Sequence, residues 1–273
     1  MANRPKIALV TGASGGIGKA IATTLAEDGY HVIAAARSMK VLEAMAGSNI
    51  EPHYLDVTEP ESITKLYQDI SEKHHRLDVL VNNAGYGVSG PIEAVPLEEA
   101  KKQFEVNVFG AMEVTRAALP MMRAQKSGRI IQLASIVSHI SYPVMGWYSA
   151  SKHAIQALMD ALRLEVEEFG IHVSMIKPGP IETGFEETTL KQLDELVIPE
   201  AYLPLVENYK ELMHENYKDC PGPGVVVEAV KKALRDDDPK SSYVDTMQSK
   251  MTIATRTLLG ERLFDKLLRS KLQ

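Results

Sequence analysis

A single cysteine, Cys220, stands in the 273-residue chain, so no internal disulfide can staple the fold. That suits a reducing compartment without demanding one. Its setting, Cys220-Pro221-Gly222-Pro223-Gly224, reads as a loop and its thiol as a spectator. A dense basic stripe is missing, and 30 Lys and Arg against 36 Asp and Glu give a net charge of −6, which argues against a nucleic-acid partner. The eight histidines include no His-x-x-x-His or similar linear ligand spacing, so no metal is assigned. Long apolar runs are also lacking. The run from Ile7 to Val10 is far too short for a secretory or membrane segment, so no integral membrane segment is expected and the cytoplasm is the expected location. Ser270-Lys271-Leu272 would be a peroxisomal address only if terminal, and Gln273 follows it.

What is present is ordinary for a globular chain: 45% hydrophobic and 24% charged residues, which excludes a mainly disordered or collagen-like protein. One domain with a sizeable core is the default at this length. Along the chain, apolar runs of strand length alternate with segments of helical period. Strands are predicted over residues 6–11, 31–36, 53–57, 77–82, 129–134 and 172–177. Helices are predicted over 17–27, from 41 onward, over 60–73, 97–125 and 148–169, the last closed by Gly170. Strands that are apolar throughout and separated by helices imply a doubly wound parallel sheet covered on both faces.

The first turn, Thr11-Gly12-Ala13-Ser14-Gly15-Gly16-Ile17-Gly18, follows a strand and opens a helix. Its glycines allow a tight turn and close backbone approach to a pyrophosphate, which would face the helix N-terminus. The alternative is a plain strand-to-helix loop. A site for NAD usually places Asp or Glu about twenty residues beyond the glycines, against the ribose 2′-hydroxyl. Here the second strand ends Ala34-Ala35-Ala36-Arg37-Ser38, without a carboxylate and with a guanidinium suited to a 2′-phosphate, which predicts NADP(H). A solvated loop cation is the other reading of Arg37.

Tyr148 is the only tyrosine with a lysine, Lys152, four residues on. The two share a helix face one turn apart, so the ammonium can favour the phenolate of a group that ordinarily titrates near pH ~10. That is an acid/base pair, or else a surface pair on an ordinary helix.

The order of motifs bears on that choice. Thr11-Gly12-x-x-x-Gly16-x-Gly18, Asp56, Asn82-Asn83-Ala84-Gly85, Asn107, Ser135, Tyr148-x-x-x-Lys152 and Pro178-Gly179 resemble, in that sequence, the classical short-chain dehydrogenase/reductase family across about residues 5–185. Residues 83–87, 104–110 and 178–185 are similar to its 17β-hydroxysteroid-dehydrogenase-like branch. The resemblance implies a single Rossmann-type domain and a role for each matching position. Gly12, Ser14, Gly16, Ile17, Gly18, Arg37 and Ser38 would hold the phosphates, Asp56 and Val57 the adenine, and Asn83, Ala84 and Gly85 the ribose side. Pro178, Gly179, Ile181 and Thr183 would grip the nicotinamide end. Ser135 would bond the substrate oxygen beside Tyr148, the proton donor; Lys152 would bond the ribose and stabilise the phenolate; Asn107 would hold a water that recycles the proton. Ser138 stands where the family often has Gly, which leaves the shape of the substrate loop open.

Substrate choice falls to unshared parts. Residues 138–147 link Ser135 to Tyr148, with Tyr142, Val144, Met145 and Trp147 making the link apolar; Tyr142 and Met145 are expected beside the substrate. His139 could touch a polar group there or be a loop histidine. Residues 186–218 are expected to cover the pocket, or simply to pack. A seventh strand is predicted at 242–245, and 247–273 as a helical extension. There Leu259, Leu263 and Leu267, with Leu258, Phe264 and Leu268 beside them, form an apolar stripe to dock over the pocket, on another subunit or on a membrane surface. The expected activity is hydride transfer between NADP(H) and a bulky apolar ketone, aldehyde or secondary alcohol; the alternative is a non-catalytic NADP(H)-binding regulator. The resemblance also implies a homodimer or homotetramer formed through the helices at 97–125 and 148–169.

Overall fold

The computed structural model describes residues 5–272. Seven parallel strands lie in the order β3-β2-β1-β4-β5-β6-β7. They are β1 (Ile7–Thr11), β2 (His31–Ala36), β3 (Ile50–Tyr54), β4 (Val79–Asn82), β5 (Gly128–Leu133), β6 (Ile171–Lys177) and β7 (Ser242–Val244). Central strand β1 is buried at every position, as a sheet covered on both faces requires. Leu9, Ile33 and Leu80 pack on one face against α3 (Pro60–Lys73), α5 (Ala111–Gln125) and α6 (Gly146–Glu165). Ala8, Val10 and Val32 pack on the other against α1 (Gly16–Glu27), α2 (Met39–Glu43) and α9 (Gly224–Arg235). Strand order reverses between β1 and β4, which opens a crevice at their carboxyl ends, where ligands bind in such sheets.

The third strand corrects the sequence reading: it runs Ile50–Tyr54 rather than 53–57. It is an edge strand, only half buried, so no continuous apolar run marks it, and Pro52 is tolerated because one side of its backbone needs no partner. The helix expected over 97–125 is also interrupted. α4 (Leu97–Phe104) passes into a π-helical turn, Glu105–Gly110, before α5 begins. Such turns mark functional positions. α6 ends at Glu165; a 3-10 turn, Glu167–Phe169, and left-handed Gly170 (φ 68°) complete the segment expected as one helix.

Above the carboxyl ends of β5 and β6 lie α7 (Phe185–Asp194), α8 (Leu203–Lys218) and α10 (Met247–Lys271). Val206, Tyr209 and Met213 of α8 pack on Val144 and Met145. Non-helical backbone at Gly260 (φ 68°, ψ 179°) breaks α10 in two. Beyond the break Phe264 and Leu268 bury against Ile136, Val137 and Ile140. Leu259, Leu263 and Leu267 remain 38%, 52% and 44% exposed, so within the expected stripe the buried row is Phe264 and Leu268. Among the described residues no helix is long and apolar enough to cross a membrane.

Candidate active site

The glycine turn connects β1 to α1. Gly12 (φ 64°) and Gly16 (φ 48°) occupy the left-handed region, where a side chain is strained. A methyl group at Gly12 would come 2.9 Å from the Ala84 Cα, and one at Gly18 would collide with the Gly12 carbonyl and Asn83 Nδ2. α1 therefore starts close against the end of β4. Its N-cap is Gly15, no side chain caps it and no acidic residue stands in its first turn, a helix start whose first N–H groups suit an anion.

Around that turn the polar groups brace backbone. Asn83 Nδ2 donates to the carbonyls of Thr11 (3.0 Å) and Gly12 (3.2 Å), and the Thr11 hydroxyl accepts from the backbone N–H groups of Asn83 and Ala84, both at 3.0 Å. At the end of β2, Arg37 is exposed, with its guanidinium 4.0 Å from Asp56, and Ser38 precedes α2 without a cap bond from its side chain. Asp56 Oδ1 accepts from the Thr58 N–H (2.9 Å) and hydroxyl (2.7 Å), fixing the loop, and Val57 beside it is buried.

Asn107 sits inside the π-turn. Its Nδ2 donates to the Tyr86 carbonyl (2.8 Å) and to Ser151 Oγ (3.1 Å), and its Oδ1 accepts from the Tyr86 N–H at 3.0 Å. The side chain thus ties α6 to the strand β4 loop, and a methyl at Gly85 would press on it at 2.9 Å.

Tyr148 and Lys152 project from the first turns of α6. The Lys152 ammonium is 5.7 Å from the Tyr148 ring centre and donates to the Leu133 carbonyl at 3.1 Å. Burial pushes the Tyr148 phenol up to about 12, against a smaller downward pull from the Ser135 hydroxyl, and burial lowers Lys152 to about 8. Ser135 follows β5, its hydroxyl 3.4 Å from the Pro178 carbonyl and accepting from the Val137 N–H at 3.3 Å.

Ser135 and Tyr148 open on a cavity of about 630 Å³, which Ile17, Pro178, Gly179, Ile181 and Thr183 also line. Tyr142 and Met145 form part of its wall from the loop, and Tyr209, Met213 and Tyr217 part from α8. α10 adds Phe264, from the C-terminal apolar stripe, and Ser249, Thr252 and Lys271, which carry no sequence signal of their own. Val144 in the loop adopts φ 68°, a strained conformation for a β-branched residue, and its carbonyl accepts from the Gly90 N–H at 2.7 Å. Asp245, also unremarked in the sequence, accepts from Gly179 N (3.4 Å) and Thr246 N (2.7 Å), and so anchors the Pro178-Gly179 turn to α10. His139 is half buried, with Nε2 2.6 Å from the buried Lys177 ammonium, so it is engaged with β6; burial first and that cation second lower its pKa.

The family model described as short chain dehydrogenase matches residues 6–194. The probable short-chain type dehydrogenase/reductase VdlC of Helicobacter pylori is 34% identical over 96% of each chain. The NADPH-dependent 3-dehydrocapnine reductase of Ornithobacterium rhinotracheale is 33% identical over 96% of this chain and 95% of its own. Among solved structures, a short-chain dehydrogenase from Streptomyces avermitilis superposes with a TM-score of 0.82 at 30% identity, covering 99% of both chains.

Proposed function

Because the chain belongs to the short-chain dehydrogenase/reductase family, we propose that it is an oxidoreductase that uses NADP(H) on a bulky apolar ketone, aldehyde or secondary alcohol. The observation that carries this reading is one cavity shared by Ser135, Tyr148 and the Pro178–Thr183 turn, with apolar walls of Tyr142, Met145 and Met213. When bound, NADP(H) would supply or accept the hydride.

The residues present fit that group. The close approach at Gly12 and Gly18 and the uncapped start of α1 suit a pyrophosphate. Arg37 and Ser38, exposed at the end of β2, would hold a 2′-phosphate, and the NADPH dependence in the Ornithobacterium relative's name supports that choice. Asp56 and Val57 would hold the adenine, Asn83 to Gly85 the ribose side, and Ile181 and Thr183 the nicotinamide end.

In reduction, Ser135 would donate a hydrogen bond to the carbonyl oxygen while Tyr148 gives that oxygen its proton. Tyr148 holds its proton across the physiological range because burial raises its pKa, so it is ready as an acid. The Lys152 ammonium stabilises the phenolate that remains. Both Asn107 side-chain donors are engaged, so a proton-relay water would meet an acceptor at this residue and not a side-chain donor. Exposed Phe109, Leu158 and Leu164 around α5 and α6 support pairing of two copies through those helices.

The test is NADPH oxidation with steroid ketones, retinal, fatty aldehydes and acyl-dihydroxyacetone phosphate. Turnover of at least one is expected, and Tyr148→Phe should lower it by about 10²–10⁴-fold while NADPH still binds. No turnover on any carbonyl, with NADPH bound, would transfer the assignment to a regulator.

A further inference from the structure

At the amino-terminal edge of the sheet, opposite the cavity, three side chains from distant parts of the sequence converge. In the parallel register Ile33 faces Glu51, so His31, two residues before Ile33, shares Glu51's face of the sheet. α3 packs on that face and its C-cap residue is His74. His31 Nε2 lies 3.2 Å and His74 Nε2 3.1 Å from the same oxygen, Glu51 Oε2, and the three donor atoms lie within 4.8 Å of one another. The other carboxylate oxygen accepts from Lys73 Nζ at 2.7 Å, which fixes the carboxylate with Oε2 toward the rings. His53 Nε2 stands beside the group, 3.7 Å from Glu51 Oε1 and 3.6 Å from Asp69 Oδ2. The three side chains are only 23%, 22% and 15% exposed for His31, Glu51 and His74.

We propose that His31, Glu51 and His74 form a binding site for a divalent transition-metal ion, zinc foremost, which joins β2, β3 and the end of α3. Donors about 2.05 Å from a tetrahedral zinc ion are about 3.3 Å apart, close to the two nitrogen–oxygen separations found here. Two imidazoles and one carboxylate suit zinc, cobalt or nickel rather than calcium or magnesium. Without the ion, both rings donate Nε2–H to Glu51. With it, each neutral ring moves its proton to Nδ1 and turns the Nε2 lone pair to the metal, so binding needs only a tautomer change in each ring. Three protein ligands leave a position for water. The ion would pin an edge strand that is otherwise paired on one side only, so its effect is on stability and not on the distant cavity.

The test uses the full chain without a histidine tag, stripped with a chelator and then titrated with Zn²⁺ or Co²⁺. One ion per chain is expected by calorimetry, Co²⁺ giving visible ligand-field absorption. At a hundredfold excess over Kd, Zn²⁺ should raise Tm by about 5–10 °C. His31→Gln and His74→Gln should each weaken binding by about a hundredfold or more, while His214→Gln, an exposed histidine elsewhere, leaves it unchanged. In the wild-type chain, Zn²⁺ should shift the ring NMR signals of His31 and His74, a readout that stands even if the variants fail to fold. No stoichiometric binding by the wild-type chain, or binding that survives both substitutions, would overturn the site.

Discussion

The floor of the site is braced by Thr11, Asn83, Asn107 and Ser151, which do not line the cavity themselves and direct their side-chain groups to backbone or to one another, at 2.8–3.5 Å. On its cover, Val206, Met213, Phe264 and Leu268 meet the loop after β5 by apolar contact, with few long-range hydrogen bonds such as that between Tyr209 and Ser89 at 3.1 Å. Directional bonds fix an atom's place, and removing one partner leaves a buried group unsatisfied. Apolar contacts are non-directional and permit changes of shape at constant volume. Under the proposed function the difference separates chemistry from selectivity: a braced floor would hold a hydride donor, a carbonyl and a phenol in line, and a repackable cover would fit one large substrate or another.

If that division holds, changes on the floor should reach every substrate. The largest effect is expected at Lys152: Lys152→Met should lower turnover of all substrates by about a hundredfold or more. Its ammonium also sets a pH limit. Burial lowers its pKa to about 8, so the stabilising charge is present below that value and lost above it. Tyr148, at about 12, keeps its proton throughout that range. Reduction should therefore decline as pH rises through about 8, and a profile flat to pH 10 would remove Lys152 from the role given to it. Next in size, Gly18→Ala should drive the turn off Asn83, lowering Tm by about 3–10 °C and weakening NADPH binding.

Arg37→Ala should weaken NADPH by about tenfold to a hundredfold and leave NADH unchanged, read by direct fluorescence titration. Equal loss for both cofactors would mean that Arg37 holds the loop and not a phosphate. The smallest change belongs to the cover. Met213→Ala should raise KM for a bulky substrate by about tenfold with little change for a small ketone; an equal loss on both would erase the distinction between floor and cover.

Much of the floor was legible because its requirements are local. A glycine turn must lie between a strand and a helix, and Tyr148 and Lys152 must be four residues apart to share a helix face. The third strand was misplaced for a physical reason as well: an edge strand with Glu51, Pro52 and His53 carries no apolar run. The π-turn at Asn107 was invisible because it changes backbone pairing without changing apolar period. Which row of the C-terminal stripe is buried was not legible, because Leu263 and Leu267 repeat with the same period as Phe264 and Leu268 and only packing chooses between them.

By itself, then, the sequence determined the alternation of strands and helices, the glycine turn and the residues proposed to react, since each depends on neighbours within a few residues. Only the tertiary structure decided that Asp245 anchors the turn at Gly179, that α10 closes the cavity, and that His31, Glu51 and His74 meet at one point. Those meetings depend on strand register and helix packing, which join residues many positions apart and leave no spacing to read along the chain.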